Sequence, residues 1–140
     1  MIATQVKGQE KQKAFDFSAT TIEGNEFKLS HLKGKKIFLS FFRNGACAMC
    51  NLRAHEISLR QKEFDQAGIE IVAVFESTAE DMKPYVGKQK LQFTLLADPH
   101  GRLYKIYGIK NSPELVNAIV ASGKAGDRIA EADKHGFKLI

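Results

Sequence analysis

Cys47 and Cys50 are the two cysteines of the sequence. They stand three positions apart, just after the run Phe38-Leu39-Ser40-Phe41-Phe42-Arg43-Asn44-Gly45. An apolar run that breaks at a Gly-containing turn is expected to hand a strand over to a helix, so the pair falls at the start of that helix. A thiol attacks only as its thiolate, and the unpaired N–H groups and macrodipole of a helix N-terminus favour negative charge. Cys47, at the helix start, is placed to gain from this. Cys50 lies one turn on, where side chains at i and i+3 are neighbours, so the two sulfurs could close a disulfide with little backbone movement. The chemistry is then redox, with one thiol attacking and the other resolving. As a structural staple the pair would be poor, because so short a loop removes little entropy from the unfolded chain. In a reducing compartment this spacing reads as redox or metal chemistry.

Arg43, just upstream, would stabilise a thiolate or a peroxide oxygen by charge and hydrogen bonding, and as a solvated charge at a strand end it would need no function. Arg53 and His55 lie beyond the first helical turn, where a surface helix face competes with a part in proton transfer. Two other uses of the cysteines compete. Both could be reduced core residues, since free Cys is often buried. A zinc site with His55 as third ligand needs a fourth, and His31, His100 and His135 carry no motif spacing.

The elements that must position the pair follow from periodicity. Residues 1–14 are polar, rich in Lys and Gln, and read as a leader; 15–140 reads as a single domain. Phe15 to Ala19 and Phe27 to Leu29 alternate around the turn residues Glu23-Gly24-Asn25-Glu26, which predicts a β-hairpin. Ser30 is expected to cap a short turn ending at Gly34. Lys36 to Phe42 is nearly continuous in apolar residues, as a central strand covered on both faces would be. From about Cys47 to Ala67 the pattern is helical, with Cys50, Ala54, Ile57 and Phe64 on one stripe and Gly68 at the C′ position. Ile69 to Phe75 is the next buried strand. This strand–helix–strand unit is right-handed by rule and puts its ligand site, and with it the cysteines, at the C-terminal edge of the strands.

Further on, Ser77-Thr78-Ala79-Glu80 reads as a capping box for a helix limited by Pro84 and Gly87. Phe93 to Ala97 is a third strand, closed by the turn Asp98-Pro99-His100-Gly101. Leu103, Ile106 and Tyr107 mark a short helix stopped by Gly108. Ser112-Pro113-Glu114 opens another that runs to about Gly123. The Gly- and charge-rich stretch from Lys124 is read as a tail, ending in the strand-like Phe137 to Ile140.

At 140 residues, with 44% hydrophobic residues and ten Phe, the chain suits one core of ordinary size. The formal charge of +5 comes from 21 basic and 16 acidic residues spread along the chain. It favours solubility and acidic partners without marking a nucleic-acid arm. No N-terminal h-region or membrane-length apolar segment is legible, so a cytoplasmic protein without membrane contact is expected.

Ala14-Phe15-Asp16-Phe17, followed by Leu29-Ser30-His31-Leu32-Lys33-Gly34-Lys35 and a hydrophobic strand, resembles the amino-terminal half of peroxiredoxins of the alkyl hydroperoxide reductase and thiol-specific antioxidant type. Phe93 to Gly101 and Tyr107-Gly108-Ile109 resemble the later signature of that family, so the resemblance covers roughly 15–109. It implies a thioredoxin-like α/β fold, a sheet flanked by helices, and antioxidant thiol chemistry without an organic cofactor. In the family's register Arg43 falls at the Pro position of the active-site motif, Cys47 at the Thr position and Cys50 at the peroxidatic cysteine. Cys47 is similar instead to the attacking cysteine of thioredoxin, with Cys50 as its resolving partner. Dithiol–disulfide exchange is therefore implied more directly than peroxide reduction, because the Thr hydroxyl that would orient a peroxide is replaced.

These readings make the chain a thiol–disulfide oxidoreductase or weak thiol peroxidase. Cys47, Cys50 and Arg43 form its site, and a thiol or disulfide protein, or a small peroxide, is its partner. A redox-sensing or binding protein on the same fold is the alternative. The resemblance also implies an antiparallel strand pair after the Leu103–Tyr107 helix, entered through a cis proline. Pro84, Pro99 and Pro113 all sit elsewhere, so the C-terminal part of the sheet is expected to be missing. The strand Lys36 to Phe42 would keep an open edge, implying either a truncated chain or a homodimer.

Overall fold

The computed structural model describes residues 14–109 and 124–137. The strands are β1 (Ser18–Thr21), β2 (Glu26–Lys28), β3 (Lys36–Phe42), β4 (Ile69–Phe75) and β5 (Thr94–Ala97). The α-helices are α1 (Ala48–Ser58), α2 (Gln61–Gln66), α3 (Ala79–Met82), α4 (Arg102–Ile106) and α5 (Lys124–Lys134). Single 3-10 turns occupy Leu29–Leu32 and Val86–Gln89. They form one five-stranded mixed sheet in the order β2-β1-β5-β4-β3. β3, β4 and β5 are parallel, with Phe42 level with Phe75 and Phe75 level with Ala97, while β1 runs antiparallel to β2 and β5.

The period of two along β4 sorts the core into two faces. Ile71, Ala73 and Phe75 join Phe42, Ala54, Ile57, Met82, Val86 and Leu95 on the α1 side. Val72 and Val74 join Phe17, Leu96 and Leu103 on the other, with Tyr104 and Tyr107 packed against them. Burial on both faces is why β4 reads as an unbroken apolar run. β3 has the same composition and the expected bounds, yet among the described residues it is the edge of the sheet, with β4 as its one neighbour. The central strand expected there is thus corrected to an edge strand of the described sheet. Phe38 on β3 keeps 36% of its surface exposed and is covered edge-on by Phe64.

Other expectations shift in detail. The hairpin turns at Ile22–Asn25, and the Phe15–Phe17 segment precedes its first strand; Asp16 Oδ1 accepts from the backbone N–H of Phe17 and Ser30. Ser30 therefore lies inside the 3-10 turn rather than capping it. The helix expected over 47–67 breaks at Leu59-Arg60 into α1 and α2. Thr78, not Ser77, caps α3, its Oγ1 accepting from Asp81 N–H. The stretch from Lys124, read as a tail, is the helix α5, which packs on α1 through Ala132 against Ala48 and Leu52. The helix expected over 112–123, the leader 1–13 and most of the last strand-like run lie outside the described residues.

Candidate active site

The parallel register ends β3 and β4 side by side, and the chain leaves Phe42 through Arg43-Asn44-Gly45-Ala46 to reach α1. This loop is fixed at most of its polar groups. Gly45 N–H donates to Ser77 Oγ at 3.0 Å, and Gly45 O accepts from Val86 N–H at 3.2 Å. Ala46 N–H donates to Asn44 Oδ1 at 3.0 Å, and Arg43 O accepts from Glu76 N–H at 3.1 Å. Gly45 is required by space: a Cβ there would stand 2.9 Å from Met82 Cγ and 3.0 Å from Met82 Cα, closer than real side chains come. The apolar strand thus turns where α3 presses on it.

Cys47 is the N-cap of α1, in extended backbone conformation (φ −62°, ψ 124°), and its Sγ accepts the N–H of Cys50 at 3.4 Å. A cap usually offers an oxygen to this orphan N–H; here a sulfur does so, and it does so best as thiolate. Both cysteines are free and partly buried. The Cys47 thiol is lowered to about 6, first by the hydrogen bond from the Cys50 thiol, then by the N–H groups of Cys50 and Met49, with the charge of Arg43 adding least and burial opposing. Cys50 moves the other way: its hydrogen bond to Cys47 and its burial raise it, against the N–H groups of Arg43 and Asn44. The two environments pull apart, favouring thiolate at Cys47 and the protonated thiol at Cys50.

Arg43 is exposed beside this pair, at the end of β3. Arg53 is exposed and pairs with Glu56 at 3.8 Å, within its own helix. His55 turns away from the cysteine stripe: its ring lies 4.5 Å from that of His135, beyond the end of α5, and 6.0 Å from Phe137. Among the described residues no group of three or more His, Cys, Asp or Glu is arranged to hold a metal ion.

Two further residues hold the site and were not singled out by the sequence. Asn51, 3% exposed, donates from Nδ2 to Gly45 O at 2.8 Å and to Cys47 O at 2.9 Å. Its Oδ1 and backbone O both accept from Gln89 Nε2 at 3.0 Å. The available signal was an amide four residues past the cap, set between the half-buried Cys50 and the buried Leu52. Tyr104 reaches from the opposite face of the sheet, its hydroxyl meeting Phe42 O and, at 3.0 Å, Val74 O, so it ties together the ends of β3 and β4. Burial raises its phenol first, helped by the charges of Glu76 and Asp98.

A parallel strand–helix–strand unit that ends in a low-pKa thiol at a helix N-cap, with a second thiol one turn on, defines a thioredoxin-like thiol protein. The chain belongs to the AhpC/TSA family, whose model matches residues 11–126. It is 30% identical over 93 residues to a chloroplastic peroxiredoxin Q of Sedum lineare, which takes in 66% of this chain and 50% of that one. It is 28% identical over 99 residues to the thiol-disulfide oxidoreductase ResA of Bacillus thuringiensis, taking in 70% of this chain and 57% of that one. The chain thus spans little more than half the length of these curated relatives. Among solved structures, a secreted disulfide oxidoreductase of Mycobacterium tuberculosis homologous to E. coli DsbE aligns with a TM-score of 0.57 at 29% identity, over 66% of this chain and 68% of that one. The peroxidoxin BcpB of the same organism aligns with a TM-score of 0.66 over 72% of this chain and 66% of that one; at 20% identity it supports the fold.

Proposed function

We propose that the protein is a thiol–disulfide oxidoreductase in which Cys47 attacks and Cys50 resolves. The observation that carries this reading is the placement of the Cys47 sulfur as the cap of α1, accepting the backbone N–H of Cys50 at 3.4 Å with the Cys50 thiol one turn on. The Cys47 thiolate attacks one sulfur of a substrate disulfide and expels the other as thiolate, forming a mixed disulfide. Once the Cys47 sulfur carries that bond it no longer holds the Cys50 hydrogen, the influence that most raises Cys50 is gone, and Cys50 loses its proton. Cys50 then attacks the Cys47 sulfur and releases the second substrate thiol. Two protein thiols become a disulfide as one substrate disulfide becomes two thiols. Arg43 assists by its charge on the thiolate.

Peroxide is the second substrate class in this reading, supported by the likeness to peroxiredoxin Q. There a thiolate takes one oxygen, releases an alcohol or water, and the sulfenic acid condenses with the neighbouring thiol to give the same disulfide and water. The lowered Cys47 thiol favours that first step at Cys47, whereas the family register, which puts Cys50 at the peroxidatic position, favours Cys50.

The test is disulfide reduction measured beside peroxide consumption, on the wild type and on Cys47→Ser and Cys50→Ser. Mild oxidation of the wild type is expected to remove two hydrogens, restored by dithiothreitol and read by mass spectrometry. Cys47→Ser is expected to be inactive, and Cys50→Ser to stop at the mixed disulfide. A pair that stays reduced under oxidation would overturn the reading.

The reading also includes a reducing, cytoplasmic setting, in which the pair is returned to thiols; among the described residues no helix is long and apolar enough to cross a membrane. Recovery of the chain in the cell's soluble fraction, with the pair reduced, checks it. It includes a homodimer as well, supported by the position of β3 at the edge of the sheet among the described residues.

A further inference from the structure

A cavity of about 680 Å³ lies along the flank of α1, between α1, the Pro84–Gln89 segment and the residues after α5. Its size is that of a small-ligand site. Ala46, directly before Cys47, and Asn51 line it on the cysteine side. Tyr85 and Phe137 give it apolar walls, and His55, His135 and Lys88 give it nitrogen donors. None of its described lining residues is acidic; Glu131, outside the lining, has Oε2 3.2 Å from His135 Nε2.

A second observation points the same way. Gln89 Nε2 is committed to two oxygens of Asn51, which fixes the orientation of the amide, since a flipped amide would set oxygen against oxygen. Its Oε1 is then buried and has no hydrogen-bond partner among the described residues. Gln89 lines the cavity, and a donor N–H reaches this buried acceptor only when the side chain shifts as the cavity fills. The cavity therefore offers a cation and imidazoles for a carboxylate and an aromatic wall for an aliphatic body, with the Gln89 amide as an acceptor that a bound N–H can draw out. Through Gln89 and Asn51 it is hydrogen-bonded to the carbonyls of Gly45 and Cys47.

We propose that this cavity binds a small peptide thiol bearing free carboxylates, or its disulfide, as the exchange partner of Cys47. The assignment of the ligand as a thiol rests on the redox reading above; the cavity's preference for a carboxylate peptide does not. In the exchange the ligand disulfide takes up two electrons and two protons from Cys47 and Cys50 and leaves as two thiols, and the reverse reaction re-reduces the protein.

The test separates binding from chemistry. The full chain carrying Cys47→Ser and Cys50→Ser is titrated with S-methylglutathione, which cannot exchange, and the ring signals of His55 and His135 are followed by NMR. A saturable shift of both is expected. Lys88→Glu is expected to weaken binding by about tenfold or more, the loss of one charge-assisted contact. Lys62→Glu, a charge reversal on α2 outside the cavity, is the control for a general charge effect. Absence of a saturable shift, or equal binding of the same peptide with its carboxylates amidated, overturns the proposal. Because no cysteine takes part, that failure leaves the redox reading standing. The redox reading fails separately if the wild type does not reduce a neutral disulfide.

Discussion

At Cys47 a sulfur takes the place that Ser, Thr, Asp or Asn usually holds at the start of a helix, and the exchange has a chemical consequence. A hydroxyl caps α1 without changing charge; a thiol caps it better after losing its proton, so the helix and the nucleophile stabilise one another. Since the hydrogen bond from Cys50 is the largest cause of the low pKa, the alkylation rate of Cys47 should rise with pH through a midpoint near about 6, as the thiolate fraction grows. Cys50→Ala removes the donor and should move that midpoint upward, towards the free value of about 8.5. Cys50→Ser keeps a donor and should move it less. Iodoacetamide kinetics from acid to alkaline pH read all three, and an unchanged midpoint in Cys50→Ala would mean that the backbone N–H groups alone set it. This much was legible in the sequence, because spacing and a Gly turn fix a helix start. Arg43 was legible only as a charge in range, and its pull on Cys47 is weaker than that of the Cys50 and Met49 hydrogen bonds.

Between residue and fold stands the loop from Arg43 to Ala46, held by α3 and the 3-10 turn that follows it. Gly45→Ala would push a methyl group into Met82, at a cost of about 1–3 kcal/mol as overpacking, and would shift the cysteine loop with it. Asn51→Ala would remove both side-chain bonds to the loop carbonyls and one of the two acceptors of Gln89, at a cost of about 1–3 kcal/mol. Both variants should unfold at lower denaturant in the reduced form, and both should slow Cys47 alkylation at neutral pH. A loss of stability with alkylation unchanged would make Asn51 structural only. None of this clasp was legible beforehand, because a hydrogen bond across 38 positions has no local period. β3 and β4 were found to the residue, since strand bounds follow the apolar run. Helix α1 was read from one stripe, but it buries two faces, with Cys50, Ala54 and Ile57 towards the sheet and Ala48 and Leu52 towards α5. The second face was the sign of a covering helix. Its partner was missed because Gly126 and the many charges of α5 resemble a solvated tail.

For the whole molecule the open question of physical chemistry is the edge of β3. β4 is shielded by strands on both sides and by side chains on both faces, and Val72, Ala73, Val74 and Phe75 are fully buried. β3 has the same apolar character with one neighbour among the described residues. A flat apolar edge is a template for another strand, and soluble proteins usually cover or charge it. Only Lys36, at the start of β3, is charged. In a symmetric antiparallel pairing of two copies centred on Leu39, each Lys36 would lie opposite the other copy's Phe42, so like charges would not meet across the pair. We therefore expect a homodimer through β3, giving a ten-stranded sheet with both cysteine sites free at opposite ends of the seam. Light scattering over a range of concentrations should pass from monomer to dimer mass, and amide exchange in β3, fast when dilute, should slow in step. Phe38→Lys, which places a charge beside the seam, should hold the chain monomeric. A mass that stays monomeric while β3 exchanges as slowly as β4 would show that the chain covers this edge itself, and the dimer would be excluded.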